Sequence, residues 1–171
     1  MAVLEHVVAA NKEYSLAFDR SKLGMPPAKK AALVVCMDAR LTVEEFTGLK
    51  TGDVHIIRNA GGLVTDDALR SLVISTEVLG TEEIFVVNHT DCGMMAFSPE
   101  ELRDKVRSRI GKEPESGVGQ PFTKWLGTFK DLKENVKAQV QKIKDSPLIR
   151  DDIRVYGFIY HVESGVLERV V

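Results

Sequence analysis

Apolar runs and stretches of helical spacing alternate along this chain. Near the start, Val3, Val7, Ala10 and Tyr14 recur at helical spacing while Glu5, Lys12 and Glu13 fall on other faces, which predicts an amphipathic N-terminal helix. Residues 21–30, with Met25-Pro26-Pro27 and two adjacent lysines, break it. The run AALVVC (31–36) is apolar without alternation, as in a strand covered on both faces. LTVEEFTGL (41–49) predicts a short helix and KTGD a turn; VHIIRN (54–59) predicts a second strand that runs into Ala60-Gly61-Gly62.

Thr65 is placed to cap the next helix, with Asp66 and Asp67 at its positive end. Its inner stripe is Leu69, Leu72, Val73, Thr76 and Leu79, and Gly80 stops it. EIFVVN (83–88) predicts a third strand. Ser98-Pro99-Glu100-Glu101 combines an N-cap, a proline at the first helical position and a capping-box glutamate. Residues 111–121 read as a loop. From Lys124 to Asp145 the stripe Phe129, Leu132, Val136, Val140 and Ile143 predicts one long helix, ending near Ser146-Pro147. A strand at 153–162 and a hairpin return through Glu163-Ser164-Gly165 complete the chain.

Strands alternating with helices imply an α/β fold. The expected sheet has about four parallel strands and a C-terminal antiparallel hairpin strand, with helices on its faces. The organisation expected is one domain over 1–171, residues 1–20 forming a helical arm. At 171 residues and 18.9 kDa the chain is long enough to bury a core without disulfide staples.

A net charge of −2, from 23 basic and 25 acidic residues, offers no electrostatic footprint for nucleic acid or an anionic membrane. The N-terminus lacks a basic region and a cleavage site, so no secretory signal is expected. No apolar run approaches the roughly 18 residues a membrane span needs. These features lead to the expectation of a cytoplasmic protein acting on a small-molecule partner. In such a compartment Cys36 and Cys92 are core thiols, redox residues or metal ligands rather than a structural disulfide, and each sits in a polar, charged motif that disfavours the core.

Those motifs, CMDAR (36–40) and HTDCG (89–93), lie just past the first and third strands. If strand one leads outward to strand two and the chain returns to place strand three on its other side, the two strand ends flank a switch point where α/β sheets bind ligands. Two thiolates and one imidazole suit zinc, and a three-ligand set with an open fourth position is the catalytic pattern. Asp38 can accept a hydrogen bond from a metal-bound water, and Arg40 can hold Asp38 ionised. The spacing of Cys36 and Arg40 is too short for a phosphatase cradle, and Gly117-x-Gly119 lacks the strand and third glycine of a dinucleotide fingerprint. His6, His55 and His161 are isolated and read as surface or satisfied core residues. Arg58 reads as a surface or salt-bridge residue; Gly61 and Gly62 supply a turn or let substrate approach the backbone.

CMDAR, Arg58-Asn59-Ala60-Gly61-Gly62 and HTDCG, in that order and spacing, resemble the β-class carbonic anhydrases, and most of all their short, minimal branch. The resemblance spans nearly the whole chain. It implies zinc on Cys36, His89 and Cys92, Asp38 and Arg40 as the orienting pair, and a homodimer or dimer of dimers with sites near the interface. The N-terminal apolar stripe is then the face that packs on the partner. Serine commonly stands where this chain has Ala39. Members with a regulatory bicarbonate site carry tryptophan at the position of Met37, which argues against that regulation here. The expected reaction is reversible hydration of carbon dioxide by a zinc-bound hydroxide. The alternative is hydrolysis of carbonyl sulfide, or less favourably of carbon disulfide, at the same site; a non-catalytic zinc scaffold is disfavoured by the retained Asp38 and Arg40.

Overall fold

In the structure, a computed structural model, residues 2–19, 23–116 and 118–171 are described. Residues 21 and 22 of the predicted break, Gly117, and the ends of the 1–20 arm lie outside them. The elements in chain order are α1 (Val3–Leu16), β1 (Ala31–Cys36), α2 (Val43–Thr47), β2 (Val54–Asn59), α3 (Asp66–Glu77), β3 (Glu83–His89), α4 (Pro99–Ile110), α5 (Phe122–Leu126), α6 (Leu132–Lys144), β4 (Arg154–Tyr160) and β5 (Leu167–Arg169).

β1 is apolar throughout because it is covered on both faces: all six of its residues are buried. Its side chains alternate between two cores. Ala32 and Val34 join Leu72 of α3, Val140 and Ile143 of α6, and Ile84 and Val86 of β3. Leu33 and Val35 face the opposite way, toward Leu41, Val43, Val87 and a shell of aromatic rings that includes Phe46, Phe85 and Phe158. Each fully buried valine or leucine contributes about 1.5–3 kcal/mol relative to the exposed side chain. The helix α6 seats closely on β4 because Gly157 has no side chain; a Cβ there would lie 2.5 Å from Val136 Cγ1 and 3.0 Å from Val140 Cγ2.

The strand order is β2-β1-β3-β4-β5, parallel except for the antiparallel pair β4 and β5. Strand one therefore has β2 on one side and β3 on the other, and the ends of β1 and β3 flank the switch point. The expected fold class holds.

One predicted helix divides. Instead of a continuous helix over 124–145, α5 ends at Gly127, whose left-handed φ of +69° closes the helix, and α6 starts afresh at Asp131, whose side chain accepts from the Glu134 N–H at 2.9 Å. The apolar stripe runs through the break because Phe129 leaves the helix and packs into the aromatic core instead. Caps outweigh periodicity here.

The N-terminal helix forms as expected, yet no residue of α1 is buried. Its apolar side chains stand in the open, with Val3 80%, Leu4 73% and Val7 56% exposed.

Candidate metal centre

β1 delivers Cys36 at its last position, and β3 delivers His89 at its last position, one residue further than the sequence placed the strand end. The chain then turns back through Asp91, a non-glycine residue at φ +51°, so that Cys92 returns to the same place. The donor atoms of Cys36, His89 and Cys92 all lie within 4.8 Å of one another, and all three residues are buried. The sequence-predicted ligands are brought together.

The imidazole is aimed by its neighbour. His89 Nδ1 lies 2.8 Å from the Thr90 carbonyl, which can only accept, so Nδ1 carries the proton and Nε2 presents its lone pair. Among the described residues, that Nε2 is the buried side-chain nitrogen or oxygen without a hydrogen-bond partner. A buried acceptor left so costs about 1–3 kcal/mol. Together with two sulfurs this donor set fits a tetrahedral, thiophilic cation such as zinc.

Without a metal the two sulfurs share a proton. The hydrogen bond from Cys92 holds Cys36 down as a thiolate against the opposing effect of burial, helped by the backbone of Asp38 and Gly61. Cys92 is pushed up, because it donates to that thiolate and because it is buried.

Asp38 stands beside the cluster, its Oδ2 3.9 Å from His89 Nε2. Arg40 grips it three times: Arg40 N and Nε donate to Oδ1 at 2.9 and 3.0 Å, and Nη2 donates to Oδ2 at 2.8 Å. Those bonds hold the Asp38 carboxyl well below the usual carboxylate range. The same guanidinium reaches the other loop, with Nη1 bonded to Asp91 Oδ2 at 2.7 Å and Nη2 to the Asp91 carbonyl at 2.9 Å. Arg40 thus ties the loop after Cys36 to the loop that carries Cys92.

Other braces were missed or undecided in the sequence. Arg58 donates from Nε to the Cys36 carbonyl at 3.1 Å and from Nη2 to the Asp38 carbonyl at 2.6 Å, which fixes the backbone between ligand and carboxylate. Its place in the next strand, directly after an apolar run, was the available signal. Asp91 could have been noticed as a charge lying between the two ligands of one tight turn. The buried Gly61 and Gly62 sit under the cluster: a Cβ on Gly62 would lie 2.9 Å from the Cys36 nitrogen. Close backbone packing is the reason for glycine there. His55 hydrogen-bonds Ser75 away from the site, as expected of a satisfied histidine.

The comparisons with known proteins agree with this arrangement. A family model described as carbonic anhydrase matches residues 31–167. "Beta-carbonic anhydrase 1" of Mycobacterium tuberculosis is 38% identical over 170 residues, 99% of each chain. A "Carbon disulfide hydrolase" of an Acidianus strain is 36% identical over 174 residues, covering 92% of this chain and 84% of that one. The crystal structure of a carbonic anhydrase from Streptococcus mutans superposes with a TM-score of 0.88 at 40% identity, covering 100% of this chain and 99% of that one. A parallel sheet with a Cys-His-Cys cluster at its switch point defines a class of α/β enzymes built around a possible metal site. Within it, the chain belongs to the carbonic anhydrase family, in its β class.

Proposed function

We propose that the chain holds zinc through Cys36, His89 and Cys92 and converts carbon dioxide and water reversibly to bicarbonate and a proton. The observation that carries this reading is the buried, unpartnered His89 Nε2, converging with two thiols beside a carboxylate that Arg40 keeps ionised. When bound, zinc supplies a Lewis acid that makes a water nucleophilic near neutral pH. Asp38 accepts a hydrogen bond from that water and directs its lone pair at the substrate carbon. Arg40 keeps Asp38 anionic and in place. Gly61 and Gly62 bring bare backbone close to the cluster, where a small linear substrate can approach it.

The relative named as a carbon disulfide hydrolase supports a second reading at the same residues, hydrolysis of carbon disulfide; carbonyl sulfide, intermediate in composition between that compound and carbon dioxide, is the alternative substrate. All three substrates present a linear, electrophilic carbon. Zinc-loaded protein assayed in parallel on the three decides between them, and the expected order places carbon dioxide first. Higher efficiency on either sulfur compound overturns that order. Two thiolates offset the metal's charge, so kcat/KM for carbon dioxide should climb toward the alkaline side. Asp38 is already ionised there, its depressed pKa placing its own titration below the ordinary carboxylate range. A profile with an added ionisation between about pH 4 and 6 would contradict that assignment.

We further propose a single domain whose arm, 1–20, packs on a second copy. The exposed face of α1 supports it, and so does Met37, which lies between Cys36 and Asp38 and is 65% exposed. Light scattering at micromolar protein should give twice 18.9 kDa or a multiple of that dimer. A monomer mass would exclude the arrangement.

A further inference from the structure

Asn88 precedes His89 in β3 and is 1% exposed. A buried carboxamide must find partners for both ends, and this one does. Its Nδ2 donates to the carbonyls of Gly61 and Gly62 at 2.9 and 3.2 Å, and its Oδ1 accepts from Asn135 Nδ2 at 2.8 Å. One turn along α6, Gln139 Nε2 donates to Asn135 Oδ1 at 3.1 Å, and Gln139 Oε1 accepts from the Val64 N–H at 2.8 Å. Gly62 and Val64 are two residues apart, so the chain of amides closes on itself. Every side chain in the ring donates one way and accepts the other; flipping any of the three amides breaks the bonds at both its ends.

The ring encloses the segment that carries the glycine turn. Gly62 packs on the backbone of the ligand: a Cβ there would lie 2.9 Å from the Cys36 nitrogen and 3.1 Å from the Val35 carbonyl carbon. A turn seated this closely fixes where the Cys36 backbone, and with it the sulfur, can sit, and groups that orient a ligand tune the metal it binds. Anchoring α6 to the sheet does not require these amides, because Val136, Val140 and Ile143 of the same helix are already at most 2% exposed. An apolar pair at the two amide positions of α6 would pack without the cost of desolvating polar groups. What the amides add is orientation.

We propose that Asn135 and Gln139 are positioning residues for the metal centre: acting through Asn88, they lock the Gly61-Gly62 turn against the Cys36 backbone and so hold the Cys36 sulfur in place. The proposal rests on Cys36 being a metal ligand. Asn135→Asp tests it, because the carboxylate keeps the volume and the acceptor for Gln139 but has no donor for Asn88. Cobalt(II), titrated into metal-free protein, reports the sulfur through its charge-transfer band in the near ultraviolet. The variant should take up cobalt with wild-type stoichiometry, and its band should shift in energy or lose intensity as the Cys36 sulfur moves relative to the other donors. In the metal-free protein, exchange of the Leu63 amide, which donates to Asn59 Oδ1 at 2.8 Å at the end of the glycine turn, should quicken by about tenfold or more while the amides of β3 keep wild-type rates. A lowered Tm with both the band and Leu63 exchange unchanged would make the ring merely structural and overturn the proposal. Absence of any sulfur-to-cobalt band in the wild type would instead remove Cys36 as a ligand, and the proposal with it. Gln139 is only half-buried, and Gln139→Glu, which deletes just its donor to Asn135, should move both readouts the same way if Asn135→Asp does not fold.

Discussion

Replacing Arg40 with alanine should leave zinc bound and lower kcat/KM for carbon dioxide by about a hundredfold or more. The metal donors are untouched, since Cys36, His89 and Cys92 come from the ends of β1 and β3 and from the turn that follows. What is lost is the grip on Asp38: both side-chain bonds of the pair, at 3.0 and 2.8 Å, and the two to Asp91 that join the loops. Asp38 would then keep only the backbone bond from residue 40 and rise toward an ordinary carboxylate pKa, free to turn toward the cluster it already faces from 3.9 Å. Arg40→Lys should recover little, because an ammonium cannot reproduce a planar fork that contacts both oxygens of one carboxylate and a second loop as well. Metal analysis and stopped-flow turnover on the same preparations check both halves of the expectation. Full zinc with near-normal turnover would leave Asp38 and Arg40 as bystanders.

Cys92→Ala should abolish tight metal binding rather than merely slow the enzyme. The wild type should retain about one zinc per chain after dialysis, and the variant a small fraction of that, because two remaining donors cannot complete a structural or catalytic zinc set. The loss has a second consequence. Without Cys92 the Cys36 thiolate loses the hydrogen bond that contributes most to its low pKa, so it should regain a proton and react more slowly with a thiol reagent near pH 7 than Cys36 does in the metal-free wild type. Elemental analysis and a timed thiol titration read these outcomes separately. Wild-type zinc content in Cys92→Ala would refute the ligand assignment.

The pattern of residues was most legible where one local cause acts alone. Ser98 caps α4 through the Glu101 N–H, Thr65 caps α3 through the Ala68 N–H, and the unbroken apolar run of β1 is buried on both faces, each as its neighbours in sequence foretold. Where two local causes compete, the reading failed: the stripe from Phe129 to Ile143 argued for one helix, while Gly127 and Asp131 stop one and start another. The stripe kept its spacing although Phe129 serves a different core from Val140 and Ile143.

The sequence by itself determined the three metal-type donors, the carboxylate and guanidinium next to the first of them, and the alternation of strands and helices. Residue chemistry and short spacings belong to the chain and survive without a fold. Only the tertiary structure decided that Arg40 serves two loops, that Arg58 braces the backbone between Cys36 and Asp38, and that Asn88, Asn135 and Gln139 close a ring around the glycine turn. Arg40 lies 51 residues from Asp91 and Asn88 lies 47 from Asn135. A hydrogen bond depends on angles and on distances of about 3 Å, and at such separations along the chain those are set by how strands register and helices seat, not by the identities of the two residues.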